Sequence, residues 1–507
     1  MSDAVAGGND PVTSVERPGE VWVAETDLQA GALSLLDALF QNITHIAPAI
    51  AGFFFTQFVV SLAGGAAVFA YVVSVVVVLG LGSCLSTLAR RFPSAGGYFT
   101  YISRTVNPRI GFLSAWTFVF YSPVVTGPVC AFFGFILENQ MKEQYNIHLP
   151  WWVFVIIALP TITGLMLLGI TLSVRTIAIL GSIEMLIVLA IGLWGLADPG
   201  PGGFTFEVFS PTYDPGKIAV GGGLALAVVF GVQGLTGWEA AVPLAEETEN
   251  PRSNIPKATI GSIIILGVLL VITYWGQVVG WGVNDLAGLR DSPQIPALVL
   301  GDKYWGSLWW IILIAMCSSV IAVSLATQNV ATRMWYRMAR QGALPAAVGR
   351  VDPKRKTPTV AILAQFVIAL FFGIVMPIWI GPDTTFFLWT GLTLVLSIAF
   401  VYIMANLGVV LYFLREKRDE FNWFFHLVLP VGTSAVLLYA IWRSFYPDYP
   451  THPYGYAPFI VGGWMILGVL ILWYLHATGR NEWLEKAGAI VEERPETEEE
   501  LAHRHLV

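Results

Sequence analysis

The stretch from Lys217 to Lys257, KIAVGGGLALAVVFGVQGLTGWEAAVPLAEETENPRSNIPK, limits what this chain can fold into. Its apolar part, Ile218 to Ala245, runs for about 28 residues, beyond the roughly 20 that a straight helix needs to cross a bilayer. In its middle Gly231, Gly234 and Gly237 stand three apart, with Gln233, Thr236 and Glu239 among them. Weak helix formers and polar groups thus meet near the bilayer centre, which predicts two short helices about an unwound joint. Lipid offers no water to free backbone groups, so such a joint survives only inside protein or beside a wet cavity. Broken helices of this kind form the substrate site of many secondary transporters. The alternative is a continuous helix whose small residues make a packing face. A second segment interrupted in the matching place favours the joint.

The rest of the chain is membrane-like: 56% of residues are hydrophobic and 12% charged. A soluble domain of 507 residues does not carry that balance. About twelve apolar runs can be marked, near 33–60, 64–88, 111–137, 151–171, 174–196, 218–245, 258–281, 305–331, 358–379, 384–413, 424–443 and 457–477. Their lengths suit helices and not barrel strands, so the predicted class is an all-α polytopic membrane protein with twelve transmembrane helices. Residues 1–32 lack the basic start of a signal peptide and read as a disordered tail. Residues 33–413 read as the core of ten helices, 414–478 as two further helices and 479–507 as an acidic tail containing EERPETEEE.

Basic residues set the expected orientation. Seventeen of the 27 lie in the loops after segments 2, 4, 6, 8 and 10, against five (Lys142, Lys217, Arg290, Lys303 and Arg443) in the opposite loops. The positive-inside rule then puts the even loops and both termini in the cytoplasm. Cys84, Cys130 and Cys317 fall inside apolar runs without metal spacing and read as small core residues, so neither a metal nor a disulfide framework is expected.

The first segment, LSLLDALFQNITHIAPAIAGFFFTQF, holds the second interruption. Pro48 removes an amide donor, Gly52 follows, and Gln41, Asn42, Thr44 and His45 lie just before, which predicts a kink between Ala47 and Gly52. Pro48 can also be a packed kink without a ligand, and His45 a hydrogen-bonded core residue. Interruptions in segments 1 and 6 are five apart, the spacing of two inverted repeats made of segments 1–5 and 6–10.

Four stretches then carry a resemblance. PSAGGYFTYISR at 93–104, GWEAAVPLAEETENPRSNIPKA at 237–258, RMWYRMARQGALP at 333–345 and KTPTVAI at 356–362 resemble, in order, motifs of the amino acid–polyamine–organocation permeases. The resemblance spans nearly the whole apolar chain. It implies a five-plus-five inverted repeat with discontinuous helices 1 and 6, and uptake or exchange of amino acids, amines or organic cations. It further implies a substrate site on Pro48, Ala49, Ile50, Ala51 and Gly52 of segment 1 and on Gln233, Gly234, Leu235, Thr236 and Gly237 of segment 6, to which the polar residues before the first break add Thr44 and His45 as candidates. In that family the first break holds a substrate carboxylate and the second faces its amino group. Exposed amides at a half-helix N-terminus attract an anion and unpaired carbonyls a cation, so the chemistry agrees. This sequence departs from the family in two places: IAPAIAG stands where many members have a Gly-Ser-Gly-like run, and Gln233 stands where an aromatic is frequent.

Charges inside a bilayer are expensive, so Asp37, Glu184 and Glu239 each need a reason. Asp37 starts segment 1 and reads as a first-turn or gate residue. Glu239 follows the sixth-segment break. Glu184 has no basic neighbour in sequence, and the family alignment puts it where some proton-coupled members have a lysine, near the sodium position of sodium-coupled relatives. Glu184, Glu239, Ser324 and Thr327 are therefore the coupling candidates, with proton preferred to sodium. The alternatives are a protonated Glu184 bonded to backbone and hydroxyls that bond their own helix.

The predicted function is a secondary active transporter of amino acids or related amines. It needs the lipid bilayer, a small-molecule substrate and a coupling ion, with no cofactor and no nucleic acid. No phosphate loop of the Gly-Lys-Ser/Thr kind occurs, which disfavours ATP-driven transport, and the seven scattered histidines disfavour a membrane hydrolase. The remaining alternatives are a sensor of the same fold that binds without transporting, and sodium-coupled or exchange transport of an organic cation or polyamine.

Overall fold

The computed structural model describes residues 28–219, 223–446 and 454–487. The described residues are helical, with one isolated bridge between Leu33 and Thr248 and no strand. In chain order the α-helices are α1 (Leu35–Ile46), α2 (Phe55–Ala63), α3 (Ala67–Arg91), α4 (Tyr98–Thr105), α5 (Pro108–Tyr145), α6 (Trp151–Leu167), α7 (Ile170–Ala197), α8 (Gly223–Gly234) and α9 (Pro251–Trp281). There follow α10 (Leu286–Arg290), α11 (Pro296–Trp305), α12 (Trp310–Arg340), α13 (Thr359–Leu370), α14 (Met376–Ile380), α15 (Thr384–Arg415), α16 (Leu429–Phe445), α17 (Ala457–Ala477) and α18 (Glu482–Lys486).

Nine spans among the described residues are long and apolar enough to cross a membrane. The difference from twelve expected runs has a local cause. Leu35–Arg91 is one 57-residue span although it is interrupted at Ala47 and at Gly64–Ala66, while α6 and α8 are apolar but short. The corner between α2 and α3 is turned by Gly64, whose φ of 58° suits glycine and whose missing side chain makes room for the Asp214 carboxylate.

The core forms where helices approach backbone to backbone. A methyl placed on Gly276 of α9 would lie 1.9 Å from the Gly192 carbonyl of α7, so only glycines admit that crossing. α9 also packs on α1 and α3, and α5 runs between α12 and α15. α16 and α17 join this core at its edge, through Leu437 and Leu475. Trp116 and Trp464 stack at 4.4 Å, and each indole N–H donates to the other's carbonyl, at 2.9 and 2.8 Å, which ties α17 to α5.

The ends reach further into the fold than the sequence suggests. Leu28, which the sequence reading assigns to the disordered tail, is buried against Ala95 and Tyr336, and Leu33 packs on Ile170, Val174 and Leu244. Trp483, assigned to the acidic tail, is buried and packs at 5.6 Å on Phe112. The remainder of the two tail assignments, residues 1–27 and 488–507, lies outside the described residues.

Candidate functional site

α1 begins with a reciprocal cap. Asp37 N–H donates to Ser34 Oγ at 3.3 Å, and Asp37 Oδ2 accepts from the Ser34 amide at 2.8 Å, so Asp37 serves the helix start. The helix stops at Ala47, which adopts φ 59° and ψ 75°. A residue before proline is driven out of the α region, and Pro48 supplies no amide to continue the ladder. A π-turn from Ile50 to Phe54 follows. Its displaced carbonyls are served from α9: Gln277 Nε2 donates to Gly52 O at 2.6 Å and Tyr274 Oη to Ala51 O at 3.2 Å. Gly52 itself faces Val188 of α7 and Leu270 and Thr273 of α9.

The sixth segment is also interrupted, but its second half differs from the expected short helix. After Gly234 the chain runs through tight turns: Thr236 N–H bonds Gln233 O, Ala240 N–H bonds Gly237 O and Val242 N–H bonds Glu239 O, at 3.0 to 3.1 Å. A three-residue 3₁₀ turn, Val242–Leu244, continues them. Pro243 has no amide to add to a ladder there, and the residues around it bond three positions back rather than four. Gly237 takes φ 120°, and a methyl on it would lie 2.7 Å from the His45 carbonyl carbon. The two interruptions therefore touch through their backbones. Asn42 Oδ1 reinforces the crossing by accepting from the Ala241 amide at 2.6 Å.

Buried polar side chains gather around that crossing. His45 Nε2 shares a hydrogen bond of 3.1 Å with Tyr121 Oη. Glu239 accepts from Tyr402 Oη at 2.9 Å and from the Gly237 amide at 3.2 Å, so its carboxyl holds the loop that carries it. Trp238 packs against Tyr402 at 5.3 Å. Glu184 is fully buried, and its Oε1 accepts from Ser318 Oγ at 3.1 Å. Thr44 bonds its own helix through Phe40 O, and Thr236 does so through Val232 O. Leu235 is buried, and Gly234 sits at van der Waals distance, 3.5 Å, from the Phe55 ring. Gln233 turns towards Gly391 of α15 and lines a cavity of about 30 Å³ with Thr236 and Tyr402, too small for an amino acid.

Of the coupling candidates, Ser324 meets Cys130 at 4.0 Å and Thr327 bonds Val323 O of its own helix at 2.6 Å. Neither is the hydroxyl bonded to Glu184, which comes from Ser318 nearly two turns earlier. Sequence reasoning also missed Tyr121 and Tyr402, whose partners lie 76 and 163 residues away. A buried hydroxyl on a long apolar helix was the signal that could have raised them.

The two ends of the crossing differ. At one end Arg333 pairs with Glu247 at 2.8 Å and Arg337 with Glu246 at 3.4 Å, all four side chains being 2% exposed or less. Glu246 also accepts from the Ala95 amide at 2.9 Å, and the Leu33 backbone bonds Glu247 O and Glu249 N at 2.9 Å each. At the other end a cleft of about 440 Å³ opens between α2, α5 and the segment 290–298, with Phe54, Phe58 and Phe132 at its apolar side. Gln57 holds its wall by donating to the carbonyls of Leu289, Arg290 and Ser292. On its rim the Arg290 guanidinium bonds Asp291 twice at 2.8 Å and holds that carboxyl below the ordinary carboxylate value.

A polytopic helical protein with two touching helix interruptions is a membrane transport architecture. The family profile described as amino acid permease matches residues 37–486, and the chain belongs to that family. It is 25% identical over 395 residues to a low-affinity putrescine importer of Escherichia coli, covering 74% of this chain and 79% of that protein. It is 23% identical over 433 residues to a branched-chain amino acid permease of Bacillus subtilis, with 82% and 86% covered. A serine/threonine exchanger of Bacillus subtilis is 22% identical over 361 residues, with 70% and 76% covered.

Proposed function

We propose that this chain is a secondary active transporter, a symporter or antiporter for amino acids or related amines, working by alternating access about the crossing of its first and sixth segments. The observation that carries the reading is the backbone contact of Gly237 with His45, which joins two interruptions deep in an apolar bundle. A closed end held by buried ion pairs and an opposite end with a 440 Å³ cleft are what one side-facing state of such a cycle needs. In this reading the span Leu35–Arg91 is two crossings and α6 and α8 are one each, giving twelve in a five-plus-five inverted repeat plus two. Both termini lie in the cytoplasm, and the cleft faces outward. Residues 44–52 and 233–237 form the substrate site. The names of the relatives, importer, permease and exchanger, support the transport class.

The coupling ion in this reading is the proton, carried by Glu184. A fully buried carboxyl with one hydroxyl donor and no cation beside it gains most from binding a proton. Uptake into proteoliposomes decides the matter. Replacing sodium by choline at fixed pH leaves uptake unchanged, and an inward proton gradient raises it several-fold. Complete loss on sodium removal would refute the proton reading, and binding without accumulation would mark the chain as a sensor. Glu184→Gln is expected to abolish the response to the imposed gradient.

A further inference from the structure

The last described helix is pinned beside a particular loop. Trp483 of α18 is buried, with its ring 5.6 Å from that of Phe112 on α5. On its other side stands Gly342, where a methyl would lie 3.7 Å from Trp483 Cβ. Gly342 belongs to the turn that closes α12, its amide donating to Ala339 O at 3.1 Å. The chain therefore passes beside the α12–α13 loop, and Ala487 is still buried there.

That loop is basic and unmatched. Gly349 folds back on the end of α12, where a methyl on it would meet Ala339 Cβ at 3.3 Å and Arg340 Cγ at 3.6 Å. Residues 352–357 then close on themselves: Lys356 N–H donates to Asp352 O and Asp352 N–H to Thr357 O, at 2.9 Å each. Asp352 Oδ1 accepts from the Lys354 and Arg355 amides at 3.0 and 2.7 Å, so the turn spends its carboxylate on its own backbone. Arg350, Lys354, Arg355 and Lys356 are left exposed, and among the described residues none of the four pairs with an acid. Basic residues of the neighbouring loops are treated otherwise. Arg91 pairs with Glu420, Arg104 with Glu416 at 2.9 Å and Lys417 with Glu420 at 3.5 Å. They lie at the same end, since a methyl on Gly96, between Arg91 and Arg104 in sequence, would lie 3.1 Å from Arg337 Cγ of α12. At this end the protein matches its bases with its own carboxylates.

We infer that the acidic run from Glu492 to Glu500, in the chain's own C-terminal segment, docks on the basic loop 350–356, with Trp483 as its anchor. The run, EERPETEEE, brings six acids and one arginine to a loop of four bases and one acid. Its residues lie five to thirteen positions beyond Ala487, a reach of up to about 45 Å, and the loop folds back towards the anchor. Exposed ion pairs are weak singly, but several on one tethered segment act at a high effective concentration. The loop directly follows α12, whose Arg337 and Arg333 stand about one and two turns before Arg340. The docked segment thus straps the helix that carries the closed-end ion pairs, whether or not the transport reading holds.

Zero-length carbodiimide cross-linking of the purified full-length protein, read by peptide mass spectrometry, tests this. Carboxylates of residues 492–500 are expected to join Lys354 or Lys356 at least about fivefold more often than Lys257 or Lys417. Going from about 0.1 to about 1 M salt shortens the screening length from about 10 to about 3 Å and is expected to cut the yield severalfold. Lys354→Glu with Lys356→Glu is expected to abolish the cross-link. Adding Glu498→Lys, Glu499→Lys and Glu500→Lys to that variant is expected to restore it with the reacting groups exchanged. Cross-links spread evenly over these lysines, or no return in the charge-exchanged variant, overturn the inference. In an equal mixture of isotope-labelled and unlabelled protein each cross-linked pair should carry one isotope pattern, and mixed pairs overturn the inference in favour of a second copy. A cross-link present in phosphatidylcholine vesicles and lost in vesicles containing phosphatidylglycerol overturns it in favour of anionic lipid headgroups.

Discussion

Gly237→Ala is expected to lower initial uptake into proteoliposomes by about a hundredfold or more while the protein still inserts. Gly237 holds φ 120°, a conformation that residues with a side chain rarely adopt. Forcing such a residue there costs about 1–3 kcal/mol, and about 2.8 kcal/mol corresponds to a hundredfold. The added methyl would also lie 2.7 Å from the His45 carbonyl carbon and 2.9 Å from the Ile46 amide. Those are backbone atoms, so the strain cannot be relieved by a rotamer change. It must move the two interruptions apart, and their crossing is the proposed site. Gly234→Ala serves as the comparison: its methyl would meet Phe55 at 3.5 Å, an ordinary contact, so the loss there should be severalfold at most. Gly462→Ala on α17, with open space around it, should behave as the unaltered protein. Wild-type uptake by Gly237→Ala, at equal amounts of inserted protein, would sink the assignment.

The contrast between Gly234 and Gly237 marks how far the residues alone can be read. Three glycines at spacing three announce an interruption in segment 6, because each weakens the helix by about 1 kcal/mol. Which of them is strained depends on where segment 1 crosses, and that is a tertiary fact. The break in segment 1 was more legible. Pro48 restricts the residue before it, so Ala47 was the natural place for the ladder to stop, and it is the residue that turns left-handed. Apolar length located most of the long helices without fixing their ends, yet the second half of segment 6 escaped, since WEAAVPLAEE is apolar enough for a helix and becomes successive tight turns instead. Hydroxyl positions were the hardest. Ser324 and Thr327 share a face of α12 with the expected spacing, but the register of α12 against α7 brings Ser318 to Glu184. Helix periodicity fixes which residues share a face, not which turn meets which neighbour.

The closed end gives the second large effect, Arg333→Ala. Arg333 and Glu247 are 1% and 0% exposed and bond at 2.8 Å. Removing one member of a buried pair leaves an uncompensated charge, at a cost of about 3–5 kcal/mol. Arg333→Ala should therefore unfold several degrees lower in detergent, with reduced yield. Glu247→Ala should do the same, and more so because a buried guanidinium cannot shed its proton. The double variant Arg333→Met with Glu247→Leu leaves no orphan charge and little empty volume and should recover most of the lost stability, since buried pairs replaced by apolar groups of similar volume are often close to neutral in free energy. Recovery of stability is not recovery of transport. The pair joins α12 to the segment that also bonds the Leu33 backbone, while Glu246 ties the same segment to Arg337 and the Ala95 amide. With one of these clamps gone, the closed end opens more readily, and a side that opens out of turn lets substrate leak back. The double variant is thus expected to fold well, to take up labelled substrate at first and to retain it poorly, with faster efflux after dilution. Three variants of equal thermal stability would show that the pair carries no burial cost, and a double variant that accumulates substrate as the unaltered protein does would remove it from the gate.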